Sequence, residues 1–185
     1  MLILASGSPR RNDLLKLLRK PFEVHASHAE EVAEEFSDDP ASVAVENARR
    51  KAQDVARKFP NDTVIGADTI VVLGKKIFGK PKDQADAVEM LSELQNQTHE
   101  VITGLTVIRG EKILTAVEKT FVTFAEIPRD EIVSYVETGE PMDKSGSYAI
   151  QGGIAPYTLK IDGSWSNVVG LPLYRLRMML IELEK

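Results

Sequence analysis

The sequence predicts an α/β fold with a mixed sheet and flanking helices, and two observations lead to this expectation. Short apolar runs typical of strands alternate with amphipathic helical segments through the first half of the chain. In the second half, residues 101–108 and 113–124 alternate apolar with Thr or charged side chains, which predicts a long antiparallel hairpin. Because strand–helix units and a hairpin occur in one chain, we expect a mixed sheet rather than a purely parallel one.

Apolar runs bounded by turn residues predict the strands. They cover residues 2–4, 22–24, 63–73, 77–78, 101–108, 113–124 and 156–161. The run at 63–73 is apolar on both faces, as in a strand covered on both sides, so we expect it at the centre of the sheet. One face of the long hairpin is expected to be exposed to solvent. Asp162-Gly163, after the last run, is a hairpin signal.

Amphipathic segments with capping residues predict the helices. They begin near Pro9, Pro40, Asp83, Pro128 and Pro172. In the segment after Pro40, a stripe of alanines at positions 44, 48 and 52 is expected to pack inward, with Lys51 at its edge. Residues 138–153 are punctuated by glycines and predict a loop.

Length and composition predict one domain over residues 1–185 and exclude several classes of protein. The absence of cysteine excludes disulfide frameworks, thiolate nucleophiles and zinc–thiolate sites. A net charge of −5 gives no attraction to a phosphate backbone or an anionic membrane, so we expect neither nucleic acid nor membrane as a partner. Since no signal peptide or membrane-spanning run is recognisable, we expect a cytoplasmic protein.

The segment Ser6-Gly7-Ser8-Pro9-Arg10-Arg11 lies where the first strand turns into the first helix. Backbone N–H groups, hydroxyls and two guanidinium groups converge there near the positive end of a helix dipole, which predicts an anion site. The alternative is a capping Ser8 followed by two solvated arginines. The Lys-Ser/Thr ending of a Walker loop is missing.

Asp68 stands in the middle of an apolar run, where an ionised carboxylate has to be paired, metal-bound or exposed at a sheet edge. We expect it to face the anion site as a metal ligand or a general base. Alternatively, it is an aspartate bonded to nearby backbone N–H groups, with Gly66 marking a bulge that exposes it.

Other charged and polar residues are candidates for binding a polyphosphate and a metal. Glu31, with its neighbour Glu30, could supply a second oxygen ligand to Mg²⁺, although charge patterning alone favours a solvated acidic stretch that continues to Glu35. Lysines beside glycines or on inward faces could surround a polyphosphate together with the two arginines, or could each be solvated. They are Lys51, Lys80 and Lys144.

Gln151 lies between an apolar residue and two glycines. Its amide is suited to reading a base edge, and a glutamine that bridges a loop fits the pattern equally well. The histidines show no metal spacing, and no Gly-x-Ser-x-Gly elbow occurs, so catalytic-triad chemistry is not expected.

Five short motifs occur in order along essentially the whole chain. They are Ala5-Ser6-Gly7-Ser8-Pro9-Arg10-Arg11, Gly66-Ala67-Asp68-Thr69, Gly79-Lys80-Pro81, Asp143-Lys144-Ser145-Gly146-Ser147-Tyr148-Ala149-Ile150-Gln151-Gly152 and Val168-Val169-Gly170-Leu171-Pro172. Together they resemble the Maf (septum-formation inhibitor) family of nucleotide pyrophosphatases. The resemblance implies a fold similar to that of inosine-triphosphate pyrophosphatases, with two lobes around a cleft, and a possible homodimer.

The resemblance also implies an activity, the hydrolysis of nucleoside triphosphates to the monophosphate and pyrophosphate with Mg²⁺ or Mn²⁺. Arg11, Thr69 and Gln151 match the specificity positions of the subgroup that acts on dTTP and UTP. Asp68 matches the position assigned as proton acceptor, and Glu31 would share the metal with it. Further polar positions correspond to the lining of the family's cleft. They are Ser8, Lys51 and Lys80.

A second class of function uses the same anion-binding residues. The chain would then be a nucleotide-binding regulator of septum formation and cell division that needs no turnover. Asp68 and its metal partner distinguish the two, because a pure sensor does not need them. A nucleic-acid-binding module ranks last, since the chain has a single tryptophan and no basic excess.

Overall fold

A computed structural model describes residues 1–33, 35 and 37–185, and within them a seven-stranded mixed sheet carries helices on both faces. The strands are β1 (Leu2–Leu4), β2 (Phe22–Val24), β3 (Thr63–Leu73), β4 (Lys76–Phe78), β5 (Thr98–Arg109), β6 (Lys112–Phe124) and β7 (Thr158–Asp162). The helices are α1 (Pro9–Lys16), α2 (Pro40–Ala56), α3 (Gln84–Leu94), α4 (Arg129–Glu137), α5 (Trp165–Val169) and α6 (Leu173–Leu183). Short 3-10 helices cover Glu140–Asp143, Ser145–Ser147 and Ala155–Tyr157. Glu34, in the predicted acidic run, lies outside the described residues.

The sheet has the order β2-β1-β3-β5-β6-β7, and β4 pairs with the far end of β3. β1 runs parallel to both of its neighbours, whereas the other pairs are antiparallel. β3 lies inside the sheet and pairs with β5 along residues 63–72. The predicted mixed sheet, the predicted hairpin of β5 with β6 and the central position of the 63–73 run are therefore confirmed.

β3 runs from one lobe of the molecule to the other. The first lobe contains β1, β2, α1 and α6 around one apolar cluster, and the second contains β4, α3, α4 and the 3-10 helices around another. β1 pairs with residues 63–65 of β3 and β4 with residues 71–73. Along this edge of the described sheet, residues 66–70 therefore have no strand partner, and a cleft opens beside them.

Helix α2 packs very close to the sheet because small residues face each other. A Cβ atom on Gly66 would overlap the backbone oxygen of Ala48, and one on Gly104 would overlap that of Ala44. The predicted alanine stripe is thus confirmed. The alternative in which Gly66 marks a bulge is wrong, since Gly66 pairs with Thr106 in an uninterrupted ladder. The glycine is needed for close approach of the helix backbone.

Details of the second half differ from the sequence prediction. The hairpin predicted at Asp162-Gly163 is wrong. β7 pairs antiparallel with the preceding strand β6, and after it Ser164 caps helix α5, which was not predicted from the sequence. Residues 101–108 of β5 are all buried, so only β6 has the expected exposed positions. The predicted loop at 138–153 contains two of the 3-10 helices. None of the described helices is long and apolar enough to span a bilayer.

Candidate active site

The cleft beside β3 has a volume of about 1120 Å³ and is lined by residues from both lobes. This volume is sufficient for a nucleotide-sized ligand, since small-molecule sites typically enclose about 300–1,000 Å³. The structure brings every site residue predicted from the sequence to its walls. They are Ser8, Arg10, Arg11, Glu31, Lys51, Asp68, Thr69, Lys80, Lys144 and Gln151.

The carboxylate of Asp68 is buried and paired with side chains. Lys51 Nζ lies 2.6 Å from Asp68 Oδ1 and 2.7 Å from Glu31 Oε1, so one ammonium group joins two carboxylates. Asn47 donates its amide to Asp68 Oδ2 at 3.2 Å. Backbone N–H groups were the alternative partners of Asp68 considered from the sequence, but the structure shows side-chain partners instead. They satisfy the requirement that a buried carboxylate be paired.

Asn47 is the residue of this cluster that the sequence analysis missed. It is buried in α2, where its Nδ2 donates to the backbone oxygen of Val32 at 3.1 Å and its Oδ1 accepts from Val32 N at 2.7 Å. It therefore ties the loop carrying Glu31 to the helix and to Asp68. The signal in the sequence is a polar residue beside the alanine stripe, one helical turn before Lys51.

The two carboxylates fit a metal that arrives with a phosphate ligand. Asp68 and Glu31 contact the same nitrogen of Lys51, so the two carboxylates lie close together around this ammonium group. Among the described residues, no group of three or more His, Asp or Glu side chains is placed to hold a metal. Mg²⁺ usually takes one or two carboxylates and completes its shell with phosphate oxygens and water, so this donor set suits it without forming an all-protein cage.

The segment Ser6 to Arg11 has features of both interpretations in the sequence analysis, the anion site and the helix cap. Ser8 caps α1 by accepting from the backbone N–H of Arg11 at 3.4 Å, yet Arg11 is not solvated. Its guanidinium donates to the oxygens of Gly170 (2.7 Å), Ser6 (3.2 Å) and Thr69 (3.0 Å). Burial lowers the pKa of Arg11, but a guanidinium stays charged at neutral pH. Arg11 therefore holds a fixed positive charge against the cleft.

Asp143 joins two further cations across the cleft. Its carboxylate lies 3.1 Å from Arg10 NH1 on the first lobe and 2.6 Å from Lys144 Nζ on the second. Although partial burial acts in the opposite direction, hydrogen bonds from Lys144 and Arg10 lower the pKa of Asp143. Lys80 has no carboxylate partner among the described residues and is exposed. Lys80 is therefore available to an anion, whereas Arg10 and Lys144 share a carboxylate.

Gln151 belongs to the second lobe, in a turn after the 3-10 helix Ser145–Ser147. Its side chain is exposed, lines the cleft, and makes no hydrogen bond within the described part of the chain. The amide is therefore available to a ligand. Thr69, by contrast, has its hydroxyl engaged with Arg11 and with Thr103, 2.9 Å away.

Comparison with known proteins gives the following matches. A family profile described as Maf-like protein matches residues 1–183. The protein named dTTP/UTP pyrophosphatase from Symbiobacterium thermophilum is 47% identical over 98% of this chain and 93% of its own length. The proteins of the same name from Koribacter versatilis and Bacillus cytotoxicus are 48% and 49% identical, over 97% and 94% of this chain and 92% and 91% of their own lengths.

Among solved structures, the Staphylococcus aureus Ham1 protein is similar with a TM-score of 0.47 and 19% identity, over 69% of this chain and 72% of that one. This likeness is too distant to support a conclusion about the site.

Proposed function

Because the chain belongs to the Maf-like protein family, we propose that it is a nucleoside triphosphate pyrophosphatase that hydrolyses dTTP and UTP to the monophosphate and pyrophosphate. The name shared by relatives at 47–49% identity supports this substrate class. The observation that carries the proposal is Asp68, a buried carboxylate held by Lys51 and Asn47 at the floor of a cleft rich in cations. Residues 1–185 form one catalytic domain, which acts in the cytoplasm.

The triphosphate binds where α1 and the lysines meet. The N-terminal N–H groups of α1, the Ser8 hydroxyl and the nearby cations neutralise its charge. These cations are Arg10, Arg11, Lys51, Lys80 and Lys144. Arg10 and Lys144 exchange the carboxylate of Asp143 for phosphate oxygens, so binding replaces one ion pair with another. Such clamping is most effective where charge develops on the leaving pyrophosphate.

Hydrolysis begins with water attack on the α-phosphorus. A bond forms between the water oxygen and this phosphorus, the bond from phosphorus to the α–β bridging oxygen breaks, and pyrophosphate leaves with the electron pair. Asp68 takes the proton of the water in one arrangement. In the other, Asp68 and Glu31 would hold a divalent cation, Mg²⁺ or Mn²⁺, that would supply charge neutralisation for the phosphates, and the proton of the water is released to solvent. Asn47 keeps the Asp68 carboxylate turned toward the cleft.

Base selection depends on Gln151, which lies on the second lobe, and on Arg11 and Thr69. The Gln151 amide offers one donor and one acceptor side by side, which suits the O4 acceptor and N3–H donor shared by uracil and thymine. Arg11 and Thr69 contribute as a preformed pair, since the guanidinium is already bonded to the threonine hydroxyl. Specificity therefore depends on one free side chain and one fixed pair.

Product analysis tests this function. The purified protein is incubated with Mg²⁺ or Mn²⁺ and each common nucleoside triphosphate, and the products are separated by anion-exchange chromatography. We expect monophosphate and pyrophosphate, formed fastest from dTTP and UTP. Diphosphate with orthophosphate would contradict the cleavage site. Nucleotide binding without turnover would instead support the regulator of septum formation.

A further inference from the structure

Tyr135 on α4 and Glu140 in the following 3-10 helix hold the turn that carries Gln151. The hydroxyl of Tyr135 donates to Glu140 Oε1 at 2.7 Å and accepts from the backbone N–H of Ala149 at 3.2 Å. Glu140 Oε1 also accepts from the backbone N–H of Gly153 at 3.2 Å. The two side chains therefore bind the turn on both sides of Gln151, two residues before it and two after it.

The turn lies directly against this pair of side chains. A Cβ on Gly152 would lie 2.6 Å from Glu140 Cδ and closer still to the carboxylate oxygen. At Gly153, a Cβ would lie 2.7 Å from Tyr135 Cδ2. A hydrogen bond from Gly152 N to Ala149 O, 2.9 Å long, closes the turn. The backbone beside Gln151 thus has no room to shift toward α4.

The chemistry of the pair suits a rigid support. Tyr135 is buried, and this burial, followed by the effect of the Glu140 carboxylate, raises the pKa of its phenol. The hydroxyl therefore keeps its proton at neutral pH and donates to the carboxylate. Hydrogen bonds with one ionised partner are stronger than neutral ones. Neither side chain is among the described residues that line the cleft, so the pair does not itself contact a ligand there.

We propose that Tyr135 and Glu140 are positioning residues that set the base selectivity of the cleft by holding Gln151 in place. This inference rests on the proposed reading of the base by Gln151. Loss of the pair leaves the Asp68 cluster on β3 and α2 untouched, since that cluster is held by different contacts. The expected effect is therefore on the choice of base more than on kcat.

The test compares kcat/KM for UTP and GTP in Tyr135→Phe and the wild type. Phenylalanine keeps the ring that packs against Gly153 and removes both hydrogen bonds of the hydroxyl. We expect the UTP/GTP ratio to fall about tenfold, because small misplacements of a binding group are costly. Tyr157→Phe is the matched control. Tyr157 packs against the same apolar cluster and does not line the cleft, so its variant should keep the ratio.

A double-mutant cycle separates this inference from the proposed function. Gln151→Ala alone should lower the UTP/GTP ratio, and adding Tyr135→Phe should lower it no further. If Gln151→Ala leaves the ratio unchanged, Gln151 does not select the base, and Tyr135 and Glu140 then have no selective side chain to position. If Gln151→Ala lowers the ratio but Tyr135→Phe does not, only the positioning role of Tyr135 and Glu140 is overturned. The same holds if Tyr135→Phe lowers the ratio equally in the wild type and in the Gln151→Ala variant.

Glu140→Gln provides a second variant should Tyr135→Phe fail to fold. Glutamine keeps an acceptor oxygen for Tyr135 and Gly153 but removes the charge, so we expect a smaller loss of selectivity than in Glu140→Ala. Thermal unfolding of each variant is followed in parallel. An equal UTP/GTP ratio in Glu140→Ala and the wild type, both folded, would overturn the proposal.

Discussion

The two ends of the cleft are built in different ways. The carboxylate cluster, Asp68 with Glu31, Lys51 and Asn47, is anchored mainly on β3 and α2, which glycines and alanines bring into close contact. The Gln151 turn, residues 149–153, is irregular and depends on hydrogen bonds from α4 and a 3-10 helix. The proposed reacting end is thus held by regular structure, whereas the proposed selecting end is held by a few side chains. Substitutions should therefore separate turnover from selectivity.

The largest effect is expected for Asp68→Asn. The substitution keeps the shape of the side chain and removes the charge that takes a proton or binds a metal. We expect kcat to fall on the order of 10³-fold, within the range for loss of a general base. Circular dichroism should show an intact fold, because Lys51 retains Glu31 as a partner. A fully active Asp68→Asn protein would remove Asp68 from the chemistry.

Asn47→Ala should produce the next largest effect. It removes the hydrogen bonds of Asn47 to the Asp68 carboxylate and to Val32 in the loop that carries Glu31. Loss of such supporting contacts typically costs about 10–100-fold in activity. Steady-state kinetics should show the loss in kcat, with the UTP/GTP ratio retained. Val55→Ala is the control, since Val55 is buried further along α2 and does not line the cleft. Equal kcat values for Asn47→Ala and Val55→Ala would mean that Asn47 contributes to stability but not to turnover.

Gln151→Glu changes the selecting end alone. A carboxylate replaces the amide donor, so uracil loses its hydrogen bond at O4, whereas guanine can still donate to the carboxylate from N1–H and from its N2 amino group. We expect the preference for UTP over GTP to fall about tenfold, as for loss of a polar specificity contact. Competition assays with both nucleotides measure this ratio directly. Unchanged relative rates would count against any contact between Gln151 and the base.

The smallest effect is expected for substitution of His99, which should change the pH dependence of stability and leave activity unchanged. Its Nε2 lies 2.7 Å from the hydroxyl of Tyr148, which leads into the Gln151 turn, and burial lowers the pKa of His99 from 6.5 to about 4. The unfolded chain therefore takes up a proton at His99 below pH 6.5, while the folded protein does not until about pH 4. Stability is complete above pH 6.5 and declines as the pH falls toward 4.

Urea unfolding at pH 6.5 and pH 5 measures this contribution. We expect the wild type to lose about 2 kcal/mol more than His99→Gln over this interval, because each unit of pKa shift corresponds to about 1.4 kcal/mol. Glutamine does not titrate but can still bond to Tyr148. Parallel losses in the two proteins would place the acid sensitivity in other groups.

The charged and polar residues of the cleft were recognisable in the sequence, whereas the contacts that hold them were not, and the reason is the range of those contacts. Asp68 is recognisable because a charge interrupts an apolar run, and Lys51 because it borders an alanine stripe. Asn47 was missed because its partner Val32 lies in a loop without periodicity. The bond from Arg11 to Gly170 joins residues 159 positions apart, and no local pattern indicates it.

The same reasoning explains the differences in the fold. Helix α5 has five residues, too few for an apolar period to be visible. Gly66 is consistent in sequence with either a bulge or a close contact, and only the packing of α2 decides between them. The predicted strands and the longer helices were recognisable because each carries its own periodicity and capping residues.

Hydrolysis of UTP in water enriched in ¹⁸O tests the proposed chemistry most directly. Mass spectrometry of the separated products locates the new oxygen. We expect one ¹⁸O atom in UMP and none in pyrophosphate, because water attacks the α-phosphorus. Label in pyrophosphate, or release of UDP with labelled orthophosphate, would contradict attack at the α-phosphorus and the role given to the Asp68 end of the cleft.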